Sequence, residues 1–132
     1  MVTYLLDTNV WIDWFNGNPV LDQRLAEQDL GKLRLSVIVR GELEVGYQLA
    51  GLQRERSQLD YIYSRIATNV FTELVSEEYA RITAQLRRAG TPIGVNDTWI
   101  AAEALAHGQT VVTANERDFR RVPGLNVENW MV

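Results

Sequence analysis

The stretch Val2-Thr3-Tyr4-Leu5-Leu6-Asp7-Thr8-Asn9-Val10-Trp11-Ile12 decides how this chain is to be read. Its first five residues are β-prone and apolar and stop at a polar cluster, which predicts a short buried strand. Asp7-Thr8-Asn9 then offers residues that cap helices, so a helix is expected to begin there. A buried strand feeding directly into a helix is the first unit of an alternating α/β chain.

Working outward, the pattern repeats. Phe15-Asn16-Gly17-Asn18-Pro19 is a turn, with Pro19 in the first turn of a helix running to about Asp29. After the Gly31-Lys32 turn, Leu33-Arg34-Leu35-Ser36 predicts a second strand, followed by a helix through Glu42 to about Ala50. Gln53 to Ala67 carries apolar residues at helical spacing, namely Leu59, Ile62, Tyr63 and Ile66. A third strand is expected over Asn69 to Leu74, then a helix capped by Ser76 and stopped at Gly90. Asn96-Asp97 opens a helix from Thr98 to about Ala106, closed by His107-Gly108. Thr110-Val111-Val112-Thr113 predicts a strand, Asn115 to Phe119 a short helical turn, and Leu125-Asn126-Val127 a last strand. Short strands alternating with helices imply one domain, residues 1–132, built on a parallel sheet with helices on both faces.

Composition bounds the function. The chain has 132 residues, 46% hydrophobic and 23% charged, values of an ordinary globular domain. No apolar run approaches the roughly 20 residues that span a bilayer, and the N-terminal stretch lacks a basic segment and meets Asp7 too early for a signal peptide. There is no cysteine, which excludes thiol catalysis, disulfides and cysteine zinc sites and leads to the expectation of a cytoplasmic protein. The net charge of −4 by itself argues against nucleic-acid binding, but about four carboxylates sequestered around divalent cations would leave the rest of the surface closer to neutral, so net charge alone decides little. Lys32 is the only lysine among thirteen basic residues; the arginines suit phosphate contacts and salt bridges to a partner equally.

In open α/β sheets, ligands bind outside the carboxyl ends of the strands. Asp7 follows the first strand, Glu42 lies early in the helix after the second, Asp97 opens a helix, and Asp118 lies just beyond the Thr110 strand. Four carboxylates at one sheet edge repel one another unless cations neutralise them. Hard ions such as Mg²⁺ or Mn²⁺ take oxygen ligands, and the matching chemistry is metal-assisted phosphodiester hydrolysis. Each acid also has a structural reading. Asp7 serves as a helix N-cap, Glu42 as a solvated helix acid like Glu44, Asp97 as a first-turn acid, and Asp118 as part of an Asn115-x-x-Asp118 cap.

Other features read as structural. His107 at a helix end suits the dipole better than catalysis. Trp11 and Trp14 share a helix face that suits a packed interface, and the four tryptophans, with Trp99 and Trp130, are too scattered for a base-stacking platform. Arg117, Arg120 and Arg121 suit RNA phosphates or a solvated rim alike. A phosphorylated Asp7, as in HAD-like phosphatases or receiver domains, needs a second acid beside it and a nearby lysine. Position 9 is Asn, and Lys32 sits in a distant turn.

Several segments together resemble PIN domains, and in particular the VapC-type toxin ribonucleases of toxin–antitoxin pairs. They are Leu5-Leu6-Asp7-Thr8-Asn9, the Ser36-to-Gly46 stretch with Glu42-Leu43, Pro92-Ile93-Gly94-Val95-Asn96-Asp97-Thr98-Trp99-Ile100-Ala101-Ala102, and Val111-Val112-Thr113-Ala114-Asn115-Glu116-Arg117-Asp118-Phe119, followed by Val122-Pro123-Gly124-Leu125 and Glu128-Asn129-Trp130. The resemblance runs end to end. It implies a three-layer sandwich around a parallel sheet of four to five short strands. Asp7, Glu42, Asp97 and Asp118 fall on the family's acidic quartet for Mg²⁺ or Mn²⁺, with Thr8 and Asn115 in supporting positions. It also implies RNA as substrate, tRNA or rRNA being expected, a homodimer, and silencing by a small antitoxin of VapB type. The alternative is a catalytically silent PIN-like module that binds RNA or protein; loss of an acid would mark it, and all four are present. Val39-Arg40-Gly41 departs from the family's usual Thr-x-Ala and removes a hydroxyl ahead of Glu42. Residues 50 to 75 carry no family signature and are expected to shape the dimer and antitoxin surfaces.

Overall fold

The computed structural model describes all 132 residues, Met1–Val132. Five parallel strands form one sheet in the order β3-β2-β1-β4-β5. They are β1 (Tyr4–Leu6), β2 (Leu33–Leu35), β3 (Ala67–Thr68), β4 (Thr110–Val112) and β5 (Val127–Glu128). Seven helices connect them: α1 (Thr8–Phe15), α2 (Pro19–Ala26), α3 (Val37–Ala50), α4 (Gln53–Arg65), α5 (Glu73–Arg88), α6 (Val95–His107) and α7 (Glu116–Phe119). None is long and apolar enough to cross a membrane.

Successive strand residues face opposite sides of a sheet, and Leu5 and Leu6 are both fully buried, as are Val111 and Val112. Both faces are therefore covered by helices, the condition for a purely parallel sheet. The core runs through Leu33, Leu35, Trp11, Ile100, Phe119 and Trp130. Trp130 meets Tyr4 edge to face at 4.9 Å and anchors the C-terminal segment against the central strand. From β1 the chain steps outward to β2 and β3, then returns to β4 on the other side of β1. The connections thus diverge between β1 and β4, and a crevice opens at their carboxyl ends. Gly108, at φ 67°, ends α6 in the left-handed conformation and turns the chain into β4.

The third strand lies elsewhere than expected. It is Ala67–Thr68, paired with Arg34 and Leu35, and Asn69 closes it by donating its backbone N–H to the Leu35 carbonyl. The β-prone residues Val70, Phe71 and Leu74 are exposed, so the run that signalled a strand is surface chain entering α5. That helix starts at Glu73; Ser76 lies inside its first turn and donates its hydroxyl to the Glu73 carbonyl instead of capping. α6 starts at Val95 with Gly94 at its cap, which puts Asp97 in its first turn. α2 stops at Ala26, and Asp29 caps a short 3-10 turn, Leu30–Lys32. Trp11 is fully buried and belongs to the core, while Trp14, 5.7 Å away, is half-buried and packs against it.

Candidate active site

Asp7 leaves β1 at the crevice and caps α1 with an extended backbone. Its Oδ1 accepts from the Thr8 N–H at 2.8 Å and its Oδ2 from the Thr113 hydroxyl at 2.9 Å. The cap reading is thus realised, and the same side chain stands at the candidate site. Burial raises its pKa, which these two hydrogen bonds oppose and the charge of Glu42 reinforces.

Glu42 sits in the second turn of α3 and accepts the Thr8 hydroxyl on Oε1 at 2.9 Å. Glu42 is thus held from α1, by the Thr8 hydroxyl. Glu44 behaves as the ordinary helix acid, paired with Arg56 at 3.1 Å. Asp118, on α7, faces the same crevice. A single amide nitrogen, Asn115 Nδ2, donates to Asp118 Oδ2 at 3.1 Å and to Asp97 Oδ2 at 3.3 Å. Arg121 reaches within 3.7 Å of Asp118 and donates to the Pro92 carbonyl.

Asp97 shows most directly that the acids share one space. Its pKa is pushed from 3.8 to about 6, first by burial and then by the charges of Asp7, Glu42 and Asp118. The Asn115 amide opposes the rise. As pH falls through about 6, Asp97 takes up a proton and the repulsion within the cluster is relieved. The structure therefore brings together all four acids and both supporting residues, Thr8 and Asn115.

Thr113, expected at the end of a strand, lies just past β4. It links the halves of the cluster, donating to Asp7 while its oxygen accepts from the Asn115 N–H at 2.9 Å. The pairing of Leu6 with Val112 contains the signal, because the next residues along are Asp7 and Thr113. His107 stays outside the site, its Nε2 donating to the Val70 carbonyl at 2.9 Å. Trp99 stacks on Tyr79 at 3.8 Å, a packing role. Arg120 is engaged by Glu116 at 2.7 Å, and Arg117 is exposed beside it.

The donors are all oxygens, which suits a hard cation. No three acidic or histidine side chains close tightly enough to wrap an ion by themselves. Mg²⁺ does not demand such a cage, because it binds through one or two carboxylates and retains waters and substrate phosphates. The residues present fit that mode.

The PIN-domain profile matches residues 4–125. The chain belongs to the PIN-domain family. Its relatives cover it almost end to end. Ribonuclease VapC2 of Rickettsia felis is 33% identical over 132 residues, spanning 96% of this chain and 97% of that protein. The tRNA(fMet)-specific endonuclease VapC of Shigella flexneri is 30% identical over 131 residues, spanning 98% and 99%. Among solved structures, DNA-bound VapBC from Salmonella typhimurium superposes with a TM-score of 0.89 at 30% identity, spanning 98% of this PIN domain and 99% of that chain. The five-stranded parallel sheet and its flanking helices are those of the PIN fold.

Proposed function

We propose that this PIN domain is an endoribonuclease that hydrolyses RNA phosphodiester bonds with Mg²⁺ or Mn²⁺, and that it is the toxin of a toxin–antitoxin pair. The observation that carries the reading is the convergence of Asp7, Glu42, Asp97 and Asp118, close enough that the charges of three add to burial in raising the fourth to about 6. A silent binding module has no use for that repulsion, which lowers stability and offers nothing to RNA without a cation. The ribonuclease names of its relatives supply the substrate class.

Asp7, Glu42, Asp97 and Asp118 would hold the ion. When bound, it supplies charge that activates water and stabilises the phosphate and the leaving oxygen. The chain's own groups do the aiming. Thr113 and the Thr8 N–H fix the Asp7 carboxyl, the Thr8 hydroxyl fixes Glu42, and Asn115 keeps Asp97 and Asp118 a set distance apart. Ligand carboxylates oriented in this way bind metal more tightly. The exposed Arg117 offers a rim contact for phosphate beside the acids, and tRNA or rRNA remains the substrate class we favour.

A groove of about 260 Å³ between α1, α3 and α4 is lined by Ile12, Phe15, Leu43, Tyr47 and Leu59 and reaches Glu42. It is our candidate for the antitoxin's seat, where an occupant lies against the site it silences. The exposed Val70, Phe71 and Leu74 supply an apolar face for a second copy, in keeping with a homodimer. The deciding experiment incubates purified, antitoxin-free protein with RNA and Mn²⁺. Cleavage should stop with EDTA and in Asp97→Asn. Cutting that persists under either condition, by a folded protein, rejects the metal mechanism.

A further inference from the structure

Glu103 is wholly buried in the small-residue run Ala101-Ala102-Glu103-Ala104 of α6, away from the four acids. Its two oxygens are both addressed. The Ser36 hydroxyl donates to Oε1 at 3.1 Å, and the Asn69 amide donates to Oε2 at 2.9 Å. Asn69 cannot turn over: it also donates to Gln109 Oε1 at 2.8 Å and accepts from Gln109 Nε2 at 3.0 Å. Ser36 is equally committed, since its oxygen accepts from the Ile38 and Val39 N–H groups at the start of α3. Its one hydrogen is left for Glu103. No arginine or lysine pairs with the buried carboxyl.

An apolar side chain of similar size is often no worse for stability at such a place, so stability alone is a weak reason for an acid here. The partners suggest another. Ser36 caps α3, and Glu42 lies six residues further along it; Asp97 lies six residues before Glu103 on α6. Six helical residues are about 9 Å. A slip of α3 against α6 at this clamp therefore reappears as a change in the distance between two of the acids.

We propose that Glu103 is a positioning residue: by gripping Ser36 and Asn69 from within α6, it locks α3 and the end of β3 against that helix and sets the spacing of Glu42 and Asp97 for the cation. The proposal rests on the metal-dependent reading above.

The test is Mn²⁺ binding to RNA-free protein by calorimetry, together with cleavage kinetics. Glu103→Gln keeps the shape but turns an amide towards a donor that cannot rearrange. Its Mn²⁺ affinity should fall about tenfold, as for losses behind metal ligands, and kcat should fall with it while KM for RNA stays level. Ser36→Ala severs the α3 side alone and should shift both readouts in the same direction. The double variant should be no worse than the poorer single one. Wild-type Mn²⁺ affinity in folded Glu103→Gln overturns the proposal, as do additive losses in the double variant. Where Glu103→Gln does not fold, unchanged affinity in Ser36→Ala overturns it. Wild-type protein that binds no Mn²⁺ overturns the metal reading itself, and this one with it.

Discussion

Replacing Asp97 by Asn should make the metal-free protein more stable near neutral pH while removing its activity. The folded chain lifts this carboxyl from 3.8 to about 6. A rise of that size, at about 1.4 kcal/mol per pH unit, sets a ceiling of about 3 kcal/mol. Asp97 is partly open to water, which screens its neighbours, and about 1–2 kcal/mol is the expected effect. Because the folded pKa lies above the unfolded one, the native state holds the proton more tightly. Stability is therefore lost as pH rises from about 4 through 6, and stays low above that window. Asn carries no charge to repel, and its side-chain carbonyl still accepts from Asn115 as Oδ2 does now. In a domain of this size 1 kcal/mol moves the melting temperature by about 3–4 °C. Thermal unfolding in EDTA at pH 7.5 should thus show Asp97→Asn melting about 3–8 °C above wild type. At pH 4.5, where most of the native Asp97 is already protonated, the gain should shrink to roughly a third. An Asn variant that melts at or below wild type at pH 7.5, or with an undiminished advantage at pH 4.5, would refute the claim that burial and the neighbouring acids together disfavour the Asp97 charge.

The same repulsion predicts that Mn²⁺ at a hundredfold excess over its Kd stabilises wild type by about 2.7 kcal/mol, whereas Asp97→Asn should respond far less in the same melting scan. Thr113→Val strands the Asp7 carboxylate and the Asn115 N–H; it should cost about 1–3 kcal/mol and lower cleavage by about 10–100-fold, and unaltered kinetics would remove Thr113 from the site. Thr8→Ser should keep the bond to Glu42 and most activity, while Thr8→Val should not, a contrast read in kcat at saturating RNA. Trp130→Ala empties a space beside Tyr4 and should cost about 3–5 kcal/mol by denaturant titration.

The central part of the fold was legible because parallel strands covered on both faces must be apolar throughout. Tyr4-Leu5-Leu6 and Thr110-Val111-Val112 could therefore be placed, along with the acids that follow them. The edge was not. Ala67–Thr68 is two residues long and carries no apolar signal, while the exposed Val70 and Phe71 mimicked a strand. Asp7, Asp97 and Asp118 were visible from their places at element ends. Glu42 lies within a helix beside Glu44, so its pattern alone is ambiguous; the resemblance singled it out, and the fold sets it against Thr8 while Glu44 pairs with Arg56. Thr113 and Glu103 escaped because their importance lies in partners far along the chain. A lone acid inside Ala101-Ala102-Glu103-Ala104, where every neighbour is built for close packing, was the available clue.

The hydrogen bond from Thr113 to Asp7 spans 106 positions of sequence. A ribosome releases the central strand long before β4, the neighbour that completes its edge. Throughout synthesis β1 waits with one flank open, and Asp7, Glu42 and Asp97 have neither Thr113 nor Asn115 to orient them. An interrupted product that stops short of β4 lacks the groups that aim the acids, and a protease cut that frees the last twenty residues removes them again. Until β4 and the residues just after it are in place, the proposed site therefore has its acids but not the groups that orient them.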